Sequence, residues 1–344
     1  MNPPLYQNYD QLALKIKKIG QELGFSQIGI TNTNLTKETA HFEAWVGSGH
    51  HGDMKYFEKH SEVYKSPQKL LPNATRIICC RIDYPKSKIE SHPIASFAQI
   101  QDYSSHIREL FKKYIDEIAK EIDAQHEVRV FAGNAPVLEK ALAAKAGLGW
   151  YGKNSVLINE DAGSYFFLGE ILTDLPLPID APTENSCGSC FKCSKACPTN
   201  AIIAPHKLDA RRCIAYLTVE HKGNIPRELR PLIGANIYGC DICQNVCPWN
   251  QKAGNNPSPQ FKLSPDFISG DLVDWFLWDE KEFKEKTKHS PMHRLSHERW
   301  LRNIAIALGN SPKNPRILNS LKSRLDHPSP LVREHVEWAI GVRS

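Results

Sequence analysis

Residues 187 to 198, "CGSCFKCSKACP", hold cysteines at 187, 190, 193 and 197 and close on Pro198. The spacing C-x2-C-x2-C-x3-C-P is that of bacterial ferredoxins, where short spacers let three thiolates converge on three irons of one 4Fe-4S cube. The fourth cysteine of such a run ordinarily ligates the other cluster when there are two, so a second set is required. Cys240, Cys243 and Cys247-Pro248 provide it as C-x2-C-x3-C-P, one cysteine short, and Cys213 is the unassigned candidate nearby. The crossing rule gives Cys187, Cys190, Cys193 and Cys247 to a first cluster, and Cys197, Cys213, Cys240 and Cys243 to a second. Structural zinc would use paired C-x2-C knuckles rather than a triple run ending in Cys-Pro. The other pair, Cys79 and Cys80, sits in an apolar strand pattern and reads as two small buried hydrophobes. His50 and His51 in "SGHHGDM" have no third ligand near in sequence and read as loop or packing residues.

Clusters of this kind move single electrons, and a stand-alone ferredoxin needs only about 60–80 residues. This chain has 344. The clusters are therefore expected to feed something bound by the residues ahead of them. A loop with Gly147, Gly149 and Gly152, carrying Trp150, Lys153 and Asn154, could let backbone approach a large ligand, with Lys153 meeting a phosphate or amide. A helix C-cap accounts for Gly147 or Gly149 equally well.

The elements that must position these groups fall into three regions. Leu12, Ile16, Ile19 and Leu23 follow helical spacing, "FSQIGIT" alternates like a half-buried strand, and "RIICCRIDY" and "VRVFAG" read as further strands. Helices are expected at about 101–124 and 136–146, so residues 1–178 read as an α/β domain. The cluster region spans 179–255 and a helical region 256–344. In the last, Leu301, Ile304, Ala305 and Leu308 share one helical face, as do Val332, His335, Val336, Ala339 and Ile340, which looks like a two-helix stacking repeat. The overall balance of 41% hydrophobic and 24% charged residues is that of an ordinary soluble chain. With no signal-peptide core and no 18-residue apolar run, a cytoplasmic protein without a membrane partner is expected. In such a reducing compartment ten cysteines are not a disulfide framework. The net charge is +5, yet residues 281–344 alone carry 13 Lys/Arg against 6 Asp/Glu, as a surface for an acidic partner would.

The order of "HGDM", "LLPNATRII", "APVLEKALAAKAGLGWYGKNS", "GSYFFLGEILTDLPLP", the cysteine runs and "RWLRNIAIALGN" resembles the epoxyqueuosine reductase family over nearly the whole chain. The resemblance implies a cobalamin-dependent enzyme with two 4Fe-4S clusters that reduces the epoxide of epoxyqueuosine at the tRNA wobble position. It implies an N-terminal α/β cobalamin domain, a ferredoxin-like domain and a C-terminal HEAT-like region that helps hold the anticodon stem-loop. Electrons would come from an unidentified donor, and a monomer is expected. Lys153, Asn154, Ser155, Asn134 and Lys65 become candidates for the cobalamin site. Arg211, Arg212, Lys222, Arg227, Arg230, Arg299 and Arg302 become candidates for tRNA contact, with Arg211 and Arg212 also able to tune the cluster at Cys213.

The family's proton donor is an aspartate just before "APVLE", a position that here is Gly133, in Gly133-Asn134-Ala135-Pro136. Ser96, Ile100 and Ser104 replace an arginine, a glycine and a histidine of the family pattern, while Asp102 and Tyr103 remain, and Tyr64 stands where an arginine is usual. These departures gather ahead of the clusters. Water, Asp102 or Glu139 are the substitutes for the missing acid, since an alkoxide leaving group needs a proton at neutral pH. Two other readings stay open: a reductive-dehalogenase-like reductase of another substrate, and a non-catalytic tRNA-binding or electron-transfer relative.

Overall fold

The computed structural model describes residues 8–87, 89, 92–122, 126–131, 136–251 and 257–343. Gly133 and Asn134 lie outside the described residues. Six strands position the first half: β1 (Gln27–Asn32), β2 (Arg76–Asp83), β3 (Val128–Phe131), β4 (Trp150–Tyr151), β5 (Leu157–Ile158) and β6 (Phe166–Thr173). Four of them form an antiparallel sheet in the order β1-β2-β6-β3, and β4 pairs with β5 as a separate hairpin. The helices that matter to the site are α1 (Tyr9–Leu23), α2 (Thr36–Gly47), α3 (Tyr103–Ile118), α4 (Glu139–Lys145), α5 (Lys192–Ala196), α6 (Ile214–Val219), α7 (Ile242–Asn245), α8 (His297–Asn310), α9 (Pro315–Lys322) and α10 (Pro330–Gly341).

Local chemistry sets the ends of these elements. Asn8 caps α1 by accepting from the N–H groups of Asp10 and Gln11, and Gly24 closes it at φ 109°, a left-handed conformation open to glycine. The buried stripe Leu12, Ile16 and Gly20 then lies against the sheet with α3, whose Tyr114 hydroxyl donates to the Ile16 carbonyl at 2.9 Å. Helix α4 covers the opposite face together with Leu35, Leu71 and Ala74. Strand β1 is buried on both faces instead of alternating, because the end of α4 presses on Gly29, where a Cβ would lie 2.0 Å from the Ala146 carbonyl oxygen. Cys79 and Cys80 are fully buried on β2, one in each of the two apolar layers, as small hydrophobes would be. The expected helix at 136–146 starts only at Glu139, and the one at 101–124 runs from Tyr103 to Ile118.

Helix α8 is the buried axis of the C-terminal part, with Trp300, Leu301, Ile304, Ala305 and Leu308 fully enclosed by α10 and its neighbours. The cores cross the boundaries expected from sequence. Phe261 packs with the first sheet face, whereas Ile94 and Ala98 pack with the C-terminal helices. No helix among the described residues is long and apolar enough to cross a membrane.

Candidate two-cluster electron-transfer site

The two cysteine runs wrap around the short helices α5 and α7. Cys187, Cys190, Cys193 and Cys247 together line one cavity of about 260 Å³, which also receives Lys153, Asn154, Lys192 and Trp249. These four thiols are the first set expected from spacing. Cys197, Cys213, Cys240 and Cys243 lie close to one another, near enough for their charges to repel. Among the described residues no three His, Cys, Asp or Glu side chains close around a single ion. A cube puts each thiolate on a different iron and spreads its ligands more widely, so two quartets of this kind fit clusters rather than one ion.

Backbone N–H groups point at several sulfurs. Ala201 N–H donates to Cys197 at 3.3 Å, Ala215 and Tyr216 serve Cys213 at the start of α6, Ile242 serves Cys240, and Trp249 and Asn250 serve Cys247. Burial pushes the thiols of Cys213, Cys240 and Cys243 up, Cys240 to about 12, and these donors oppose it. Loading iron would therefore release protons while the N–H groups receive the thiolates.

The sheet half meets the clusters through the turn after β4. Lys153 Nζ donates to the carbonyls of Gly188 at 2.6 Å and Cys190 at 3.0 Å, and stands 3.9 Å from the centre of the Phe191 ring. Asn154 is buried, lines the same cavity, and leaves its Oδ1 without a hydrogen-bond partner. Ser155 holds φ at 63° and its carbonyl accepts from Lys140 Nζ at 2.7 Å. Trp150 packs edge-on against Trp249 at 5.0 Å. Lys153 and Asn154, candidates for the cobalamin site, thus stand at the cavity of the first quartet, because the turn faces the cysteine loops. Lys65 instead rims a polar groove of about 500 Å³ with Thr33, Asn34, Thr36, Thr39 and Glu43, and pairs with Glu43 at 2.9 Å. His51 pairs with Glu58 at 2.8 Å and the His50 carbonyl accepts from Ala210 N–H, both packing roles.

The arginines divide sharply. Arg302 is fully buried; its guanidinium donates to the carbonyls of Leu217, His221 and Gly223 at 2.8–2.9 Å, and burial brings it down to about 9. Arg230 is 1% exposed and pairs with Glu334 at 2.6 Å. Arg299 is half-buried and donates to the Val219 carbonyl. Arg230 and Arg302 are therefore not available to tRNA: they staple the chain around the second quartet to α8 and α10, and Arg299 does the same in part. Arg211, Arg212, Lys222 and Arg227 remain exposed. Part of the C-terminal basic charge is likewise internal, since Arg324 and Arg343 also donate to backbone carbonyls.

Asp102 stands at the start of α3 with φ 52° and pairs with His289 at 2.9 Å. Glu139 opens α4. Sequence reasoning missed Glu170, a fully buried carboxyl on β6 whose oxygens have no hydrogen-bond partner. Burial, reinforced by the Glu139 charge, pushes its carboxyl well above the usual carboxylate range. An acid inside the apolar run "FFLGEIL" was the signal for it.

Comparison with known proteins adds the decisive observation. The chain is 44% identical over 339 residues to an epoxyqueuosine reductase of Pseudomonas aeruginosa, covering 96% of this chain and 94% of that one. It belongs to the epoxyqueuosine reductase family. The Escherichia coli K12 reductase is 43% identical over 350 residues, covering 99% and 91%. The family described as "Epoxyqueuosine reductase QueG, DUF1730" matches residues 65–132, and "4Fe-4S double cluster binding domain" matches 186–250. Two solved reductases superpose at TM-scores of 0.88 and 0.89 with 29% identity, each comparison covering 98% of this chain and 91% of the other. One is in complex with an epoxyqueuosine-modified tRNA-Tyr stem loop; the other, from Bacillus subtilis, has the catalytic loop of an aspartate swung out of the active site.

Proposed function

We propose that this chain reduces epoxyqueuosine in tRNA to queuosine, taking two electrons and two protons to convert the epoxide to an alkene and water. The observation that carries this reading is full-length likeness to the reductases together with eight cysteines gathered as two quartets against the sheet half. The first quartet, at the open cavity, is the entry for electrons from a donor protein, and the second quartet passes them on. Cobalamin, when bound, supplies a low-valent metal centre suited to breaking the carbon–oxygen bond. Its amide-rich periphery matches the hydroxyl and amide lining of the groove at Lys65, which is the candidate seat among the described residues. The division into cobalamin, ferredoxin-like and HEAT-like parts belongs to the same proposal, supported by the sheet, the two cluster helices and the packed pair α8 and α10.

Position 133 cannot donate a proton. Of the substitutes, Asp102 pairs with His289, and Glu139 lies close enough to the buried Glu170 for its charge to raise that carboxyl, so both stand as candidates for the donor. Loss of a general acid is typically worth about 10²–10⁴-fold in rate, so activity survives at a reduced level. Arg211, Arg212, Lys222 and Arg227 supply phosphate contacts, and tRNA affinity should fall steeply with salt.

The test is a single-turnover assay with anaerobically reconstituted protein, cobalamin, a chemical reductant and epoxyqueuosine-containing tRNA, with Gly133→Asp beside the native chain. Queuosine from the native protein establishes the reductase. Queuosine from Gly133→Asp alone marks a reductase scaffold that has lost its acid. Product from neither, with clusters and cobalamin bound, overturns the substrate assignment.

A further inference from the structure

The chain around the first quartet carries charge of one sign only. Residues 185–208 hold Lys192, Lys195 and Lys207 and no aspartate or glutamate, and all three lysines are exposed. Two short strands, β7 (Ile202–Ala204) and β8 (Lys207–Leu208), pair as a hairpin that packs against α5. The hairpin is also tied to the turn after β4. His206 N–H donates to the Lys153 carbonyl and the His206 ring Nδ1 bonds the Gly152 carbonyl, both at 3.1 Å. The turn, α5 and the hairpin therefore make one surface beside the cavity that Cys187, Cys190 and Cys193 line, and these three thiols are partly exposed.

A loaded cluster with its thiolates is an anion, and Lys153 and Lys192, which line the cavity, lie where they offset that charge. Lys195 and Lys207 do not line it, and among the described residues neither side chain has a hydrogen-bond or ion-pair partner. The same segments expose apolar area: Phe191 and Ile203 are each 45% exposed. A phosphate backbone would use the lysines and leave those side chains uncovered, whereas a protein face with an acidic rim covers both. Each cluster takes one electron at a time, so the occupant is a one-electron carrier. We propose that the face built by α5 and the β7–β8 hairpin docks an acidic carrier protein with a flavin or iron–sulfur group at its contact surface. One electron passes from that group to the first cluster, the carrier is oxidised, the cluster is reduced, and no bond is made. This rests on the reading of the first quartet as the point of electron entry.

The experiment is stopped-flow reduction of the reconstituted full chain by an acidic flavodoxin in its hydroquinone form, followed by bleaching of the cluster absorbance. Neither cobalamin nor tRNA is present, so the outcome is separable from the reductase assay. Iron is counted beforehand: fewer than about eight atoms per chain strikes the two-cluster reading itself. The native rate should fall as salt rises, and Lys195→Glu/Lys207→Glu should be about 10-fold or more slower at low salt, with the gap closing at high salt. Ile203→Ser should slow the reaction less and keep its salt dependence; with the native salt series it carries the test where the double variant does not load iron. Reduction by the methyl viologen radical, a small cation, should not be slowed in any variant. A native rate indifferent to salt, an iron-loaded double variant as fast as the native chain, or equal slowing with methyl viologen overturns the proposal. So does competition by tRNA against flavodoxin that the double variant abolishes, which would assign the face to RNA.

Discussion

The two cysteine quartets are made in different ways. Three of the first four come from one short run that rims an open cavity, and Lys153 of the sheet half grips that run by two carbonyls. The second four come from separate stretches between Cys197 and Cys243, and what holds those stretches is the C-terminal helices. Arg302 takes three carbonyls around α6, Asn303 takes those of Thr218 and Ile237, and His335 accepts from Ile225 N–H at 3.2 Å. The difference teaches that one cluster site is a product of sequence spacing and the other of tertiary structure. Arginines that look like nucleic-acid ligands in the sequence are the scaffold of the second.

Cys213→Ala should have the largest effect, removing the second cluster, halving iron from about eight to about four atoms per chain and abolishing turnover. Full iron content in that variant would break the division into quartets. Next, Arg302→Met leaves the carbonyls of Leu217, His221 and Gly223 without donors in a buried site and should cost about 3–5 kcal/mol. Thermal unfolding reads that loss, and a chelator should strip the second cluster first; equal stripping of both would dissolve the contrast.

Acid should act on the same side. Burial holds His335 down to about 4, so it stays neutral in the fold while the unfolded chain takes a proton below its ordinary 6.5. Its contribution is complete above that value and is lost as pH falls from about 6.5 toward about 4, by roughly 3 kcal/mol at most. Denaturant midpoints at pH 7 and 5 should differ accordingly, and His335→Asn should flatten the difference. The smallest effect belongs to Lys153→Ala, about 1 kcal/mol for its hydrogen bonds, seen as faster chelator loss of the first cluster alone.

Where the chemistry lies in local spacing, the sequence was readable: all eight cysteines, α1, β2 and the buried face of α8 stand where periodicity puts them. Strand β6 escaped, although it is central to the sheet, because buried on both sides it lacks alternation and carries Gly169 and Glu170 in its interior. The turn at Lys153 was legible as a ligand loop but not as to which ligand, since its partners, Gly188 and Cys190, come from elsewhere in the chain. Arg302 and Arg230 could not be told from surface arginines for the same reason: the carbonyl partners of Arg302 and the carboxylate partner of Arg230 lie 79 or more residues away.

The clasp of α10 on Ile225 sets an order of biogenesis. Chains begin to fold from their N-terminal end during synthesis, yet α10 is made long after the last cysteine. A nascent chain can present every thiol to an iron–sulfur assembly factor while the pocket for its second cluster is still unlatched. Maturation of that cluster can then be timed by the emergence of the final helix, with the helix closing over a cluster already delivered.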